Sequence, residues 1–388
     1  MTTPLLDCVN IERIVSDTLQ LVEIPSPTGD SREVADHFAQ LLAEAGCRVD
    51  RYEFLPNNPT LVAVFEGGLS GKTILFNGHL DTIPLAHSPA RIENGRVYGR
   101  GANDMKGSLA CIVEVIRVIR DSRDKLKGRL IIVANSLHES PGGRGEDLYA
   151  LVENVNLQAD AAVVMEGATR DCTIAQFGSA TFEIVVKRNG EPSHQLYTPE
   201  GTPHPISVMA EIVRQLDERN EQLRLAYIED IGYASYFVGA IQSGKFYNQH
   251  PNTAELAGVR RYGPETEYDD VERELRLLLD DIAWRNKVDI LLKLQKVRDG
   301  YRIDKNDPAV HALVEAARKV RGIPLPAAGK KLVTDAGIFA KDLSIPTLCH
   351  GPDQSSAHAD IEYVEIHELE LSAKVYLQFI VEFGLLSE

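Results

Sequence analysis

His79 and Asp81 close the apolar run Thr73-Ile74-Leu75-Phe76-Asn77-Gly78. Residues i and i+2 of an extended backbone point to the same side, so Asp81 can sit behind His79. A metal-ligating imidazole is built this way, with one ring nitrogen on the ion and the other held by a carboxylate. His-x-Asp by itself is a weak signal, and a single histidine at a strand end is ordinarily a hydrogen-bonded structural residue. Further donors follow in order, however: Asp104 in Gly99-Arg100-Gly101-Ala102-Asn103-Asp104-Met105-Lys106-Gly107, then His138-Glu139, Glu166 and His358. Imidazole plus carboxylate without thiolate suits zinc, with manganese or cobalt as substitutes, in a hydrolytic site. The two oxygens of Asp104 can bridge two ions. Paired ions polarise a carbonyl and lower the pKa of a shared water toward neutrality. A glutamate that is not a ligand can take the water's proton and pass it to a leaving amine.

The elements that must position these groups alternate in the first half of the chain. Ser31 to Ala45 has apolar residues at helical spacing, closed by Gly46. Leu61 to Phe65, Thr73 to Phe76, Arg129 to Asn135 and Ala161 to Met165 read as buried strands, and Gly107 to Ile119 as an apolar helix. Strands alternating with helices indicate a layered α/β sheet with its site at the strand ends, where His79, His138-Glu139 and Glu166 fall. From about Ala180 the texture changes. Thr181 to Lys187 alternates as a half-solvated strand, a helix covers Ile206 to Leu216, Val259 to Tyr262 reads as a strand, and a charged helix starts at Asp269. The α/β texture resumes near Asp304. The expected architecture is a mixed-sheet α/β catalytic domain with helices on both faces, formed by 1–178 and 300–388. A smaller α+β, ferredoxin-like dimerisation domain is inserted at 179–299.

A chain of 388 residues is too long for one ordinary core. Its 41 basic and 57 acidic residues give a net charge of -16, which disfavours nucleic-acid or anionic-membrane partners. The five cysteines are scattered without Cys-x-x-Cys spacing, as reduced thiols would be. No secretory signal or membrane-spanning run is visible, so a cytoplasmic location is expected.

With these motifs in order, the chain resembles the co-catalytic zinc hydrolase family of acetylornithine deacetylase, succinyl-diaminopimelate desuccinylase, aminoacylase and glutamate carboxypeptidase. The resemblance covers essentially the whole chain. It implies that His79 binds one ion, Asp104 bridges both and Glu166 completes the first site, with His358 on the second ion. It also implies a cis Asp104–Met105 peptide. Gly190-Glu191-Pro192-Ser193-His194 resembles the segment whose histidine reaches the partner subunit's site in a homodimer and steadies an oxyanion. Asn248 and Arg260 match positions that contact a substrate carboxylate, and Thr334-Asp335-Ala336 resembles a turn beside the pocket.

One departure stands out. Relatives carry Asp-Glu-Glu where this chain has His138-Glu139-Ser140. Ungapped alignment makes Glu139 the general base, backed by Asp81 and His194 among the catalytic residues, and places the neutral Ser140 where a carboxylate ligand belongs. A shift by one residue makes Glu139 the ligand and His138 the base. The expected activity is metal-dependent deacylation of an N-acyl amino acid, as in acetylornithine deacetylase, with one or two zinc ions. The alternatives are a dipeptidase or carboxypeptidase on the same scaffold, or a metal-poor relative that binds an acylated amino acid without cleaving it.

Overall fold

The computed structural model describes residues 3–122, 126–139, 142–167 and 171–386. The chain divides into two compact units, residues 1–175 with 302–388, and residues 176–301.

The first unit is built on a mixed sheet. Leu69–His79 lies at its centre, parallel to Lys127–Asn135 on one side and Ala161–Val164 on the other. Thr347–Cys349 extends the parallel run beyond Ala161–Val164. Asn58–Glu66 and Arg48–Leu55 add antiparallel strands at the other edge. The parallel strands read as near-continuous apolar runs because both faces are covered. Ile74 and Phe76 join one core with the helices Ile11–Glu23, Arg32–Ala45, Gly107–Asp121, Pro308–Arg321 and Ile366–Glu382. Leu75, Ile131 and Val133 point the other way and are also buried, on the side where Glu146–Asn154 and Ala336–Asp342 pack. Gly46 ends the second helix in the left-handed region, at φ 106°, as the sequence predicts.

The second unit is a four-stranded antiparallel sheet in the order 235–243, 253–262, 178–187, 289–298. The helices Pro205–Leu223 and Tyr268–Asn286 cover one face. Phe182, Ile184, Val186 and Leu256 pack there against Val208, Ile212, Leu275, Leu279 and Ile282. The edge strand Ser235–Ser243 leaves Phe237 and Ile241 exposed.

Candidate metal centre

Parallel strands in register deliver their C-terminal ends together, and the donor groups of the first unit converge there. His79 is the last residue of the central strand and is fully buried, paired in register with Asn135. Glu166 follows the neighbouring strand by two residues. Asp104 lies in the irregular π-helical turn Ala102–Lys106, where its own φ/ψ is non-helical, and His358 comes from a turn. The Asp104–Met105 peptide is cis, and His358 sits in the left-handed region at φ 61°, a conformation that costs a non-glycine residue free energy and is found at functional sites. Glu362 braces the Asp104 segment: its Oε1 accepts from the Asn103 and Asp104 N–H groups at 3.0 and 3.1 Å, and its Oε2 pairs with Arg100 at 2.8 Å.

Two groups of donors share Asp104. On one side His79 Nε2 lies 3.1 Å from Asp104 Oδ1 and 3.9 Å from Glu166 Oε2. On the other, His358 Nε2 lies 3.4 Å from Asp104 Oδ2 and 3.0 Å from Glu139 Oε1. Among the described residues, His79, Asp104 and Glu139 can offer atoms to one ion, as can His79, His138 and Glu166. The His138 ring lies parallel to His79 at 4.1 Å, its Nδ1 2.9 Å from Asp335 Oδ2 and its Nε2 4.0 Å from Glu166 Oε1. Asp335 is held in turn by Asn135 Nδ2 at 2.8 Å, and Asn135 by Asn77 Nδ2 at 3.0 Å. Ser140 lies outside the described residues.

Asp81 is placed differently from the sequence expectation. The near partner of His79 Nδ1 is the Asp81 backbone carbonyl at 2.9 Å, with the carboxylate at 3.6 Å. That carboxylate accepts from the His138 and Glu139 N–H groups and from the Thr28 hydroxyl. It ties down the turn that carries His138 and Glu139 while still lying behind the imidazole. Gln354 was not anticipated: its Nε2 donates to Asp104 Oδ1 at 3.2 Å and Glu166 Oε2 at 3.4 Å. Its only sequence signal is its position four residues before His358.

The electrostatics fit a cation. Burial pushes Glu166 up to about 7, and its Oε1 is buried with no hydrogen-bond partner among the described residues. Burial opposes ionisation of Asp104, but hydrogen bonds from His358 and His79 hold its carboxyl well below the usual range. The Asp104 and Glu139 carboxylates raise His358 to about 10. Burial works against charge on His138, yet Asp335 lifts it to about 9. Acids therefore outnumber imidazoles, and protons hold the balance that a divalent ion would otherwise supply. These residues, oxygen and nitrogen donors without sulfur, fit zinc or a similar ion.

The second unit holds the remaining candidates. His194 and Asn248 lie together on a short ribbon in which His194 pairs with Gln249. His194 Nδ1 accepts from Leu196 N–H, so in the neutral ring Nε2 carries the proton. Asn248, whose side-chain nitrogen is placed 3.2 Å away, meets that proton with its oxygen once the amide is turned. Arg260 is 3% exposed and faces the helices, its guanidinium 4.4 Å over the Tyr236 ring and 3.9 Å from Glu274. Strand alternation turns Arg261 to the opposite face, where it is half-buried and has no acid partner among the described residues. Of the two arginines, Arg260 thus packs in the interior of the unit, and Arg261 lies on the opposite face.

The profile of a family described as Peptidase family M20/M25/M40 matches residues 75–382. An N-formyl-4-amino-5-aminomethyl-2-methylpyrimidine deformylase of Halalkalibacterium halodurans is 26% identical, over 96% of this chain and 95% of its own. A succinyl-diaminopimelate desuccinylase of Sulfurovum sp. is also 26% identical, over 81% and 84%. The crystal structure of aminopeptidase PepT from Bacillus cereus superposes with a TM-score of 0.82 at 18% identity, covering 97% of this chain and 99% of that one, a likeness of fold.

Proposed function

Because the chain belongs to peptidase family M20/M25/M40 and is an enzyme acting on amide bonds, we propose that it is a zinc-dependent deacylase of N-acylated amino acids or similar small amines. The observation that carries this reading is the pair of donor groups joined at Asp104. His79, Asp104 and Glu166 would hold one ion, and Asp104, Glu139 and His358 a second. Bound there, the ions would polarise the scissile carbonyl and acidify a water.

The 3.0 Å approach of Glu139 to His358 supports the ligand role for Glu139. The proton-transfer group is then His138, oriented by Asp335 as a base is oriented by a third group. Asp81 keeps both in place through their backbone amides. The His194 Nε2 proton that meets Asn248 would turn instead to the oxyanion of a partner chain's substrate once one is bound, and Arg261 would receive a substrate carboxylate. The exposed edge strand Ser235–Ser243 supports a homodimer formed through the second unit. No described helix is long and apolar enough to cross a membrane.

Metal analysis of the purified protein, with turnover measured on N-acetyl, N-succinyl and N-formyl substrates and on dipeptides, tests the reading. Zinc-dependent release of a carboxylic acid from an acylated amine is expected. Turnover of dipeptides alone would favour the peptidase alternative, and full turnover in a chelator-treated, metal-free sample would overturn the metal role.

A further inference from the structure

A cavity of about 590 Å³ lies within the first unit, lined by residues 22–23, 25–27, 82–90, 99–100 and Lys106. None of the candidate metal ligands lines it. Most of its wall is apolar and stiff, with Pro25, Pro27, Pro84 and Pro89 around it. Two cationic side chains interrupt that wall. Lys106 is 1% exposed, and its Nζ donates to the Ile24 carbonyl at 2.8 Å, beside the lining residues Glu23 and Pro25. That is its one acceptor among the described residues, whereas an ammonium carries three N–H groups. Arg100 donates through Nη1 to Glu362 at 2.8 Å and through Nε to the Leu85 carbonyl at 3.3 Å. Its Nη2 is buried with no partner among the described residues. The one acid in the lining is Glu23, whose side chain is exposed.

Buried N–H groups left without acceptors are costly, and an anion that reaches them recovers that cost. The volume falls within the roughly 300–1,000 Å³ of small-molecule sites. Proline-fixed walls lower the ordering cost of binding. We propose that this cavity is a binding site for a small organic carboxylate, with its oxygens on Lys106 Nζ and Arg100 Nη2 and its carbon chain against the prolines. The site is separate from the one that cleaves the amide. It adjoins it through Arg100, which holds the same Glu362 that braces the Asp104 backbone.

Calorimetric titration of the full chain with isovalerate, and with neutral isovaleramide of the same shape, tests this. Isovalerate should bind wild type and a His79→Ala variant alike, with the amide at least about tenfold weaker. Ala86→Trp, at an exposed lining position that folding does not depend on, should weaken isovalerate by about tenfold or more, as should Arg100→Gln. Binding that survives Ala86→Trp, disappears in His79→Ala, is matched by the amide, or is not seen at tens of millimolar would overturn the proposal.

Discussion

His138 and Glu139 are neighbours with opposite surroundings, and their environments assign their work. Glu139 faces His358 and the shared Asp104, whereas His138 turns to Asp335 and stacks on His79. Glu139→Ala should therefore lower zinc content from roughly two equivalents to roughly one. His138→Ala should keep both and lose about 10²–10⁴-fold in kcat. Metal analysis beside steady-state kinetics reads both. Full zinc in Glu139→Ala, with near-normal turnover in His138→Ala, would return the base role to Glu139. Asp147 shows what burial does to a carboxylate that faces no ligand. It accepts from Ser136 N–H at 2.6 Å and the Thr60 hydroxyl at 2.9 Å, yet burial raises it to about 7. A raised carboxyl pKa lends stability that is complete below the unfolded value of 3.8 and is lost as pH climbs through about 7. Asp147→Asn keeps an acceptor and cannot ionise, so its stability advantage should grow between about pH 5 and about pH 8. Urea denaturation at both values checks this, and an advantage that shrinks with pH would show that Asp147 is ionised and well accommodated.

At the scale of the elements, period and direction decide which residues can meet. Apolar runs make the central strands legible, because a parallel strand covered on both faces is apolar throughout, and His79 then falls at a strand end. The edge strand Arg48–Leu55 has no buried residue, and Asp289–Arg298 mixes leucines with lysines, so neither announces itself as a strand. The late loop was legible through His358, but Gln354 was not, since nothing in an amide side chain marks it as facing two carboxylates. Asp81 was visible as a partner of His79, whereas its hold on the His138 and Glu139 amides depends on how separate strand ends meet in space. Arg260 and Arg261 show the same limit in one strand, because sequence matching alone leaves a one-residue slip open and a slip changes the face. Arg260→Ala should cost about 1–3 kcal/mol of stability through its lost packing on Tyr236, with KM nearly unchanged. Arg261→Ala should leave stability within about 0.5 kcal/mol and raise KM for a carboxylate-bearing substrate about tenfold or more. Thermal melts and initial rates on the same preparations separate the two. A KM effect confined to Arg260→Ala would reverse the assignment.

At the scale of the whole molecule, the proposed oxyanion donor and the metal ligands belong to different units of the fold. The first unit gathers His79, Asp104, Glu139, Glu166 and His358 without help from the second. His194 and Asn248 stand on an exposed ribbon with no such group in their own unit. If each site takes His194 from the partner chain, two inactive variants can repair one another. A His79→Ala chain still offers a sound His194, and a His194→Ala chain still offers a sound metal centre. Random pairing makes half the dimers hybrid, and each hybrid has one complete site, so an equal mixture should recover roughly a quarter of wild-type activity. Each variant alone should stay near background. The mixture must be unfolded and refolded together, or co-expressed, so that chains exchange. Recovery near a quarter, with zinc retained in the His194→Ala chain, supports a shared site. No recovery in verified hybrids would place the oxyanion donor within one chain, and the exposed ribbon would then need another role.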